Sequence, residues 1–144
     1  QRQMCIRDRY WQQEDIDTFQ ELTKCIVTEY GPPQGCENAF YGLQTLGEDI
    51  ADITGITLAY NALITKHPQL SLKDKQRFFI VFSQMWAESY DQQHVCARVE
   101  GDVHALALFR VDKTLKPLAE FSTAFQCKKG DAMYKEEKDR CIIY

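Results

Sequence analysis

The sequence predicts a mainly α-helical fold, and three observations support this. Apolar residues recur at the three-to-four-residue spacing of an amphipathic helix in three long segments between residues 17 and 92. Turn-forming stretches separate these segments, GPPQG at 31–35 and HPQLSLKD at 67–74. No segment shows the apolar–polar alternation of a convincing strand. The 144 residues, 44% of them hydrophobic, correspond to one ordinary domain with a core.

The first helix is predicted to begin near Asp17, and either Asp15 or Asp17 can cap its N-terminus. One apolar residue lies in each turn of the segment: Phe19, Leu22, Ile26 and Tyr30. The two prolines of GPPQG end the helix, and residues 31–44 are predicted to form a loop.

The second helix is predicted over residues 46–66. Its buried face is expected to be an apolar stripe: Ile50, Ile53, Ile56, Tyr60 and Leu63 or Ile64. Gly55 lies in the middle of this helix, where glycine costs about 1 kcal/mol relative to alanine. We therefore expect another backbone to pack closely against Gly55.

The third helix is predicted over residues 72–92, with Ser71 and Asp74 as its N-terminal cap. Its sequence RFFIVFSQMWAESY leaves little room for a polar face, so we expect it to be a central helix of the core. Residues 93–103 are predicted to form a loop. A short helix is expected from about Pro117, and the charged tail from Lys128 onward is expected to be irregular.

Charge and cysteine content exclude some functions and favour others. The 17 basic and 21 acidic residues are spread without a basic block, which argues against a nucleic-acid partner. No run of about 18 apolar residues is present to span a membrane, and no apolar signal-peptide core occurs at the start. Six cysteines without a CxxC pair favour a disulfide-bearing extracellular domain over a zinc ribbon.

Glu48 and Asp52 are the candidate functional pair of the second helix. Residues four apart share one helix face, where two carboxylates repel each other unless they have a use. One interpretation is that Glu48 binds a metal ion and Asp52 orients a ligand histidine. The other is structural, because Thr45 followed three residues later by Glu48 is a capping-box pattern.

Four signatures occur in order along the chain: GEDIADITGI at 47–56, HALALFR at 104–110, AEFSTAFQCKKGDAM at 119–133 and a cysteine near the C-terminus. From about Trp11 to Tyr144 the sequence resembles the neprilysin and endothelin-converting-enzyme family of zinc metallopeptidases. The resemblance implies the C-terminal helical part of a thermolysin-like (gluzincin) zinc peptidase domain, here as a fragment. Residues 1–9 match nothing in that family and are interpreted as a non-family remnant, leaving 10–144 as peptidase domain.

The resemblance implies a role for each of four residues. Glu48 would be the third ligand of one Zn²⁺ ion, and Asp52 would accept a hydrogen bond from a ligand histidine. His104 would stabilise the oxyanion of the reaction, and Arg110 would bind a substrate carbonyl. Without the resemblance, these two would be an ordinary loop histidine and a surface arginine. The chain contains no HExxH motif, so both histidine ligands are expected upstream of residue 1.

Met85 and Trp86 fall where the family lines the pocket for the residue after the scissile bond, although both could equally be core residues of the third helix. The resemblance also implies a disulfide bond between Cys25 and Cys141. Cys127 matches a family cysteine whose partner lies upstream. Two further cysteines are not family positions and could bond to each other: Cys36 and Cys96.

The chain also departs from the family pattern. Asp49 stands where asparagine is usual, Thr54 where glycine is usual, Ala87 where a cysteine is usual, and Lys113 where glycine is usual.

The function implied is a secreted or type II membrane zinc endopeptidase that cleaves oligopeptides on the amino side of bulky hydrophobic residues. Its partners would be peptide substrates and the remainder of the peptidase domain. The alternative is a non-catalytic relative, a peptide-binding or adhesion module that keeps the fold without HExxH. The fragment alone is expected to be inactive, because one carboxylate is too few ligands for zinc.

Overall fold

The structure, a computed structural model, describes residues 10–141, so the segment interpreted as a non-family remnant lies outside it. The described chain contains no strand and folds into helices joined by short loops, which confirms the mainly α-helical prediction. The helices are α1 Gln13–Glu29, α2 Tyr41–Lys66, α3 Leu72–Met85, α4 Gln92–Gly101, α5 Ala107–Leu115, α6 Ala119–Phe125 and a 3₁₀ turn at Glu137–Asp139.

Helix α1 begins four residues before the predicted start. The carboxylate of Asp15, one of the two predicted caps, accepts the backbone N–H of Gln12 at 2.9 Å. Ile26 and Tyr30 are buried as predicted, whereas Leu22 is 46% exposed. Thr23 is buried in this helix instead, because its hydroxyl donates to the Phe19 carbonyl in the preceding turn at 2.8 Å and so carries no unpaired proton.

Helix α2 begins at Tyr41, within the predicted loop, so the capping-box interpretation of Thr45 and Glu48 is wrong. Thr45 lies inside the helix and is fully buried. Its hydroxyl contacts the Tyr41 carbonyl at 3.2 Å and donates to Asp49 Oδ2 at 2.7 Å. The helix starts earlier because the Asn38 side chain accepts the N–H of Phe40 at 3.0 Å and turns the chain into it.

The close helix–helix approach occurs at Gly42, not at Gly55. A Cβ atom built on Gly42 would lie 2.1 Å from the carbonyl oxygen of Val27, so α1 and α2 can cross here only over a glycine. A Cβ on Gly55 would meet nothing within 4 Å in the described part of the chain, so the predicted packing is not found there.

Helix α3 ends at Met85, seven residues before the predicted end, and its predicted cap is confirmed. The N–H of Asp74 donates to Ser71 Oγ at 3.2 Å. Phe79 is 1% exposed, but Ile80 and Val81 are nearly half exposed. The prediction of a helix without a solvent face is therefore wrong for the described chain, because α3 buries Phe79 but exposes Ile80 and Val81 to solvent.

Helix α4 forms where the sequence predicted a loop, and its N-cap is Asp91, which accepts the N–H of His94 at 2.9 Å. Helix α5 was not predicted as a separate element. Helix α6 is confirmed, with Phe121 buried and Phe125 packed against the core.

The main core forms where α1, α2, α3 and α6 meet. Phe79 lies at its centre, and its ring stacks on Tyr60 at 5.0 Å and meets Phe121 edge-on at 5.5 Å between ring centroids. A second, smaller cluster joins α4 to the start of α2 and to the loop before α5: Cys36, Tyr41, Val99 and Leu106. This second cluster positions the candidate site described below.

Two disulfide bonds link distant parts of the described chain. The bond between Cys25 and Cys141 confirms the pair implied by the resemblance and ties α1 to the C-terminal tail. Cys36 and Cys96 bond to each other and tie the loop after α1 to α4. Cys127 is a half-buried free thiol. None of the helices between residues 10 and 141 has the length and hydrophobicity of a membrane span.

Candidate active site

Glu48 and Asp52 lie on one face of α2, as their spacing predicts, but their environments differ. The Glu48 side chain is 45% exposed, whereas that of Asp52 is 13% exposed. The difference arises because α5 covers Asp52 and leaves Glu48 open. Of the two carboxylates, Glu48 is thus the one accessible to a ligand from outside the described chain.

Asp52 is held by Arg110 of α5, an interaction that the sequence did not predict. Arg110 Nε donates to Asp52 Oδ2 at 2.6 Å and Nη2 donates to Oδ1 at 2.7 Å. Such a two-pronged, charge-assisted pair fixes both side chains in one orientation. The hydrogen bonds from Arg110 to Asp52 raise the pKa of the guanidinium above its ordinary value, so Arg110 stays charged.

Trp86, the residue after α3, supports the same arginine. The Arg110 guanidinium carbon lies 3.8 Å from the centroid of a Trp86 ring, which is close for a cation–π contact. The indole Nε1 is buried with no hydrogen-bond partner in the described chain. Met85, the neighbouring residue, points elsewhere and is 68% exposed. The structure therefore separates the two predicted pocket residues.

His104 lies in the loop between α4 and α5, and Asp102 binds both its backbone and its ring. Asp102 Oδ1 accepts the backbone N–H of His104 and lies 2.9 Å from its Nδ1. The backbone hydrogen bond from His104, the largest cause, keeps the pKa of Asp102 below its ordinary value. An ionised carboxylate can only accept hydrogen bonds, so Nδ1 carries hydrogen and donates a hydrogen bond to Asp102 Oδ1.

The other ring nitrogen of His104 faces α2. His104 Nε2 lies 3.5 Å from Glu48 Oε2, and both side chains are a little under half exposed. Residues more than fifty positions apart thus form one cluster, in which His104 approaches Glu48 while Arg110 holds Asp52 one turn further along α2.

The loop that carries His104 is fixed by side chains of the preceding elements. Gln44 of α2 donates to the Asp102 carbonyl at 2.6 Å, and Asn38 donates to the Val99 carbonyl at 2.8 Å. The Tyr41 hydroxyl accepts the backbone N–H of Leu106 at 2.9 Å. These positioning residues carry no motif, because their role depends on contacts across more than fifty residues of sequence.

Asp49 lies beside the cluster but is buried, with 1% of its surface exposed. Oδ2 accepts the hydroxyl proton of Thr45, while Oδ1 has no hydrogen-bond partner in the described chain. Burial raises the pKa of this carboxyl to about 7. An asparagine, the usual residue of the resembled family, would carry no charge here. Asp49 therefore has an electrostatic cost when it ionises that asparagine would not have.

As a metal ligand, Glu48 would need further donors from outside the described residues. The described residues contain no group of three or more histidine, cysteine or acidic side chains that could hold a metal ion. Glu48 offers one exposed carboxylate, the donor type that completes a zinc site with two histidines. The observed donor set therefore fits one ligand of such a site and not a whole one.

Comparison with known proteins identifies the class as peptidase. The profile of Peptidase family M13 matches residues 3–141, a range that includes most of the segment interpreted above as a non-family remnant. The chain is 36% identical to Neprilysin-3 of Drosophila melanogaster and 37% identical to Neprilysin of Homo sapiens, each over 91% of the chain. It is 34% identical over 87% of its length to Endothelin-converting enzyme homolog of Locusta migratoria. The chain belongs to peptidase family M13, which confirms the resemblance to the neprilysin and endothelin-converting-enzyme family.

Solved structures support the same fold. PepO of Lactobacillus rhamnosis superposes with a TM-score of 0.77 at 27% identity over 90% of the chain. The zinc metalloprotease Zmp1 of Mycobacterium tuberculosis superposes with a TM-score of 0.78 at 24% identity. The fold is that of the helical C-terminal part of a gluzincin peptidase domain, as predicted. The chain spans 18–19% of the length of the curated relatives named above, so the roles of its site residues stay predictions.

Proposed function

We propose that the chain supplies the third zinc ligand and the substrate-facing residues of a zinc endopeptidase. The observation that carries the proposal is the approach of His104 Nε2 to Glu48 Oε2 at 3.5 Å, on the exposed face of α2. In the proposed site, Glu48 and two histidines from outside this chain hold one Zn²⁺ ion. When bound there, the ion would supply Lewis acidity and would lower the pKa of a water molecule.

His104 contributes a hydrogen bond to the charge that develops on the substrate carbonyl oxygen. Asp102 accepts a hydrogen bond from Nδ1–H of His104, so Nε2 is the nitrogen left to face the substrate. Nε2 donates when the ring carries its second proton. One preorganised donor of this kind contributes roughly 3–4 kcal/mol to transition-state stabilisation.

Arg110 and Asp52 act as a unit. Asp52 occupies two of the five N–H donors of Arg110, which leaves others free for a substrate carbonyl. Each Asp52 oxygen accepts one hydrogen bond from Arg110 and keeps a second lone pair, as the orientation of a ligand histidine requires. The ring of Trp86 supports the arginine from one side. In this proposal Trp86 shapes the substrate site through Arg110.

An apolar groove between α2 and α3 supports a preference for bulky hydrophobic side chains. The groove has a volume of about 470 Å³, and Met85 lines it together with Ile56, Phe78 and Phe82. Methionine adapts its shape to large apolar side chains. We assign the residue on the carboxyl side of the scissile bond to this groove.

The compartment follows from the cysteines. Two disulfide bonds are typical of proteins in an oxidising environment. We propose an extracellular enzyme, either secreted or the ectodomain of a type II membrane protein. Its substrates are oligopeptides, and the remainder of the peptidase domain is its structural partner.

Zinc occupancy of the complete enzyme tests the ligand assignment. Glu48→Gln removes the proposed anionic ligand while keeping size, so we expect a strong loss of bound zinc. Glu100→Gln, an exposed acid of α4, serves as the control and should retain zinc. Unchanged zinc in Glu48→Gln would refute the assignment. A complete protein that binds peptides without zinc would instead be a non-catalytic module.

A further inference from the structure

Arg98 of α4 connects the His104 loop to the segment after α3. Its Nη1 donates to Glu88 Oε2 at 2.8 Å, and its Nη2 donates to Asp102 Oδ2 at 3.2 Å. Its guanidinium carbon also lies 5.4 Å from the centroid of the Tyr90 ring. One arginine therefore bridges two carboxylates and stacks on an aromatic ring.

The two oxygens of Asp102 have separate tasks. Oδ1 receives the backbone N–H and the ring Nδ1 of His104, while Oδ2 receives Arg98. A carboxylate bound on one oxygen only can rotate about its last bond, whereas one bound on both oxygens cannot do so without losing a contact. Arg98 thus fixes the plane of the carboxylate that holds the imidazole.

The same network also reaches the far side of the loop. The Tyr90 hydroxyl accepts the backbone N–H of Ala107 at 3.2 Å, and a hydrogen bond from Tyr90, followed by that from Arg98, lowers the pKa of Glu88. The unit formed by Glu88, Tyr90 and Arg98 therefore contacts the chain on both sides of His104, at Asp102 and at Ala107.

Overall stability is a poor explanation for this arrangement. The Arg98 side chain is 34% exposed and that of Glu88 is 42% exposed, and isolated pairs at such exposure add little to folding. Fixing an orientation requires only that the alternative orientations lose a contact. The geometry therefore fits a positioning role better than a stabilising one.

We propose that Arg98 is a positioning residue for His104, acting through Asp102. The proposal rests on the proposed function of His104 in transition-state stabilisation. In this proposal Arg98 acts through Asp102 and not by contacting substrate or zinc. Its effect is to keep Nδ1 of the imidazole on Asp102 and Nε2 toward Glu48.

Steady-state kinetics of the complete enzyme provide the first test. Arg98→Met keeps the aliphatic stem, so we expect kcat to fall roughly tenfold, the low end for loss of a supporting partner. KM should change less than about twofold, because the loss falls on the transition state. Arg98→Lys keeps the positive charge but lacks the planar guanidinium group. Its kcat should lie between those of the wild type and Arg98→Met. Lys24→Met, which breaks the exposed pair with Glu21 on α1, is the matched control with unchanged kcat.

The ring nitrogens of His104 provide a second test that needs no catalysis. Nitrogen NMR of the full 144-residue chain resolves the ring nitrogens of its three histidines and reports which nitrogen of each ring carries hydrogen. We expect the Nδ1–H form to dominate in the wild type and to lose population in Arg98→Met. An unchanged ratio of the two tautomers, or an unchanged kcat, would overturn the proposal. If the complete protein hydrolyses no peptide, the proposed function fails while the tautomer ratio still decides the role of Arg98.

Discussion

Replacement of Asp49 by asparagine should make the chain more stable at neutral and alkaline pH. Asp49 is 1% exposed, one of its oxygens has no hydrogen-bond partner among residues 10–141, and burial raises its pKa from 3.8 to about 7. The folded state therefore holds a proton on this carboxyl across that interval, where the unfolded state has released it. Stability from this group is present at low pH and is lost as pH rises from about 4 to about 7.

The size of this effect on stability follows from the change in the pKa of Asp49 on folding. A rise of about 3 pH units at 1.36 kcal/mol each means that ionisation of Asp49 costs the folded state about 4 kcal/mol. The hydrogen bond from Thr45 and the charges of Lys113 and Arg110 lower this pKa, and their effect is already contained in the figure. Asparagine has no charge to lose, so its stability should not follow this pH dependence. One polar atom of the asparagine amide would occupy the position of Oδ1 and would also have no partner there. This lowers the stability of the variant by about 1–3 kcal/mol at every pH.

Urea unfolding with both disulfides intact, followed by circular dichroism between about pH 4 and pH 8, measures the difference. The unfolding free energy of Asp49→Asn minus that of the wild type should rise by up to about 4 kcal/mol over this range. Asp139→Asn, a change at an exposed acid, is the control and should parallel the wild type. A difference that does not vary with pH would refute the burial argument.

Two further predictions concern stability. Burial lowers the pKa of Lys113 to about 8, so the folded state releases its proton between about pH 8 and 10.5 before the unfolded state does. Lys113→Met should therefore exceed the wild type in stability at pH 7, with an advantage that shrinks above pH 8; an advantage that grows with pH would contradict this. Gly42→Ala should cost about 1–3 kcal/mol, because its Cβ would lie 2.1 Å from the Val27 oxygen. Gly55→Ala, with open space at its Cβ, should instead raise the unfolding free energy of this chain by up to about 1 kcal/mol. Equal effects of the two substitutions would refute the assignment of the close helix–helix contact to Gly42.

Local signals predicted the features that depend on local sequence. The periodicity of α2 placed Glu48 and Asp52 on one face, and Ser71 marked the start of α3. The family resemblance implied the Cys25–Cys141 bond, which the chain forms across 116 residues of sequence. These predictions needed no knowledge of how the helices pack.

The features that were missed depend on contacts between distant residues. Asp52 and Arg110 are 58 positions apart, and neither residue type nor spacing indicates that one holds the other. Helix α4 is short and weakly amphipathic, so its stability comes from the Cys36–Cys96 bond and from packing of Val99. A helical glycine looks the same in sequence whether it packs closely or faces open space.

Zinc content and peptide hydrolysis, measured on the same samples of the complete enzyme, test the central claim most directly. The wild type should bind one zinc ion and cleave a peptide before a bulky hydrophobic residue. His104→Ala should keep its zinc and lose about 100- to 1,000-fold in kcat, whereas Glu48→Gln should lose both zinc and activity. Full activity in either variant would contradict the roles assigned to this chain.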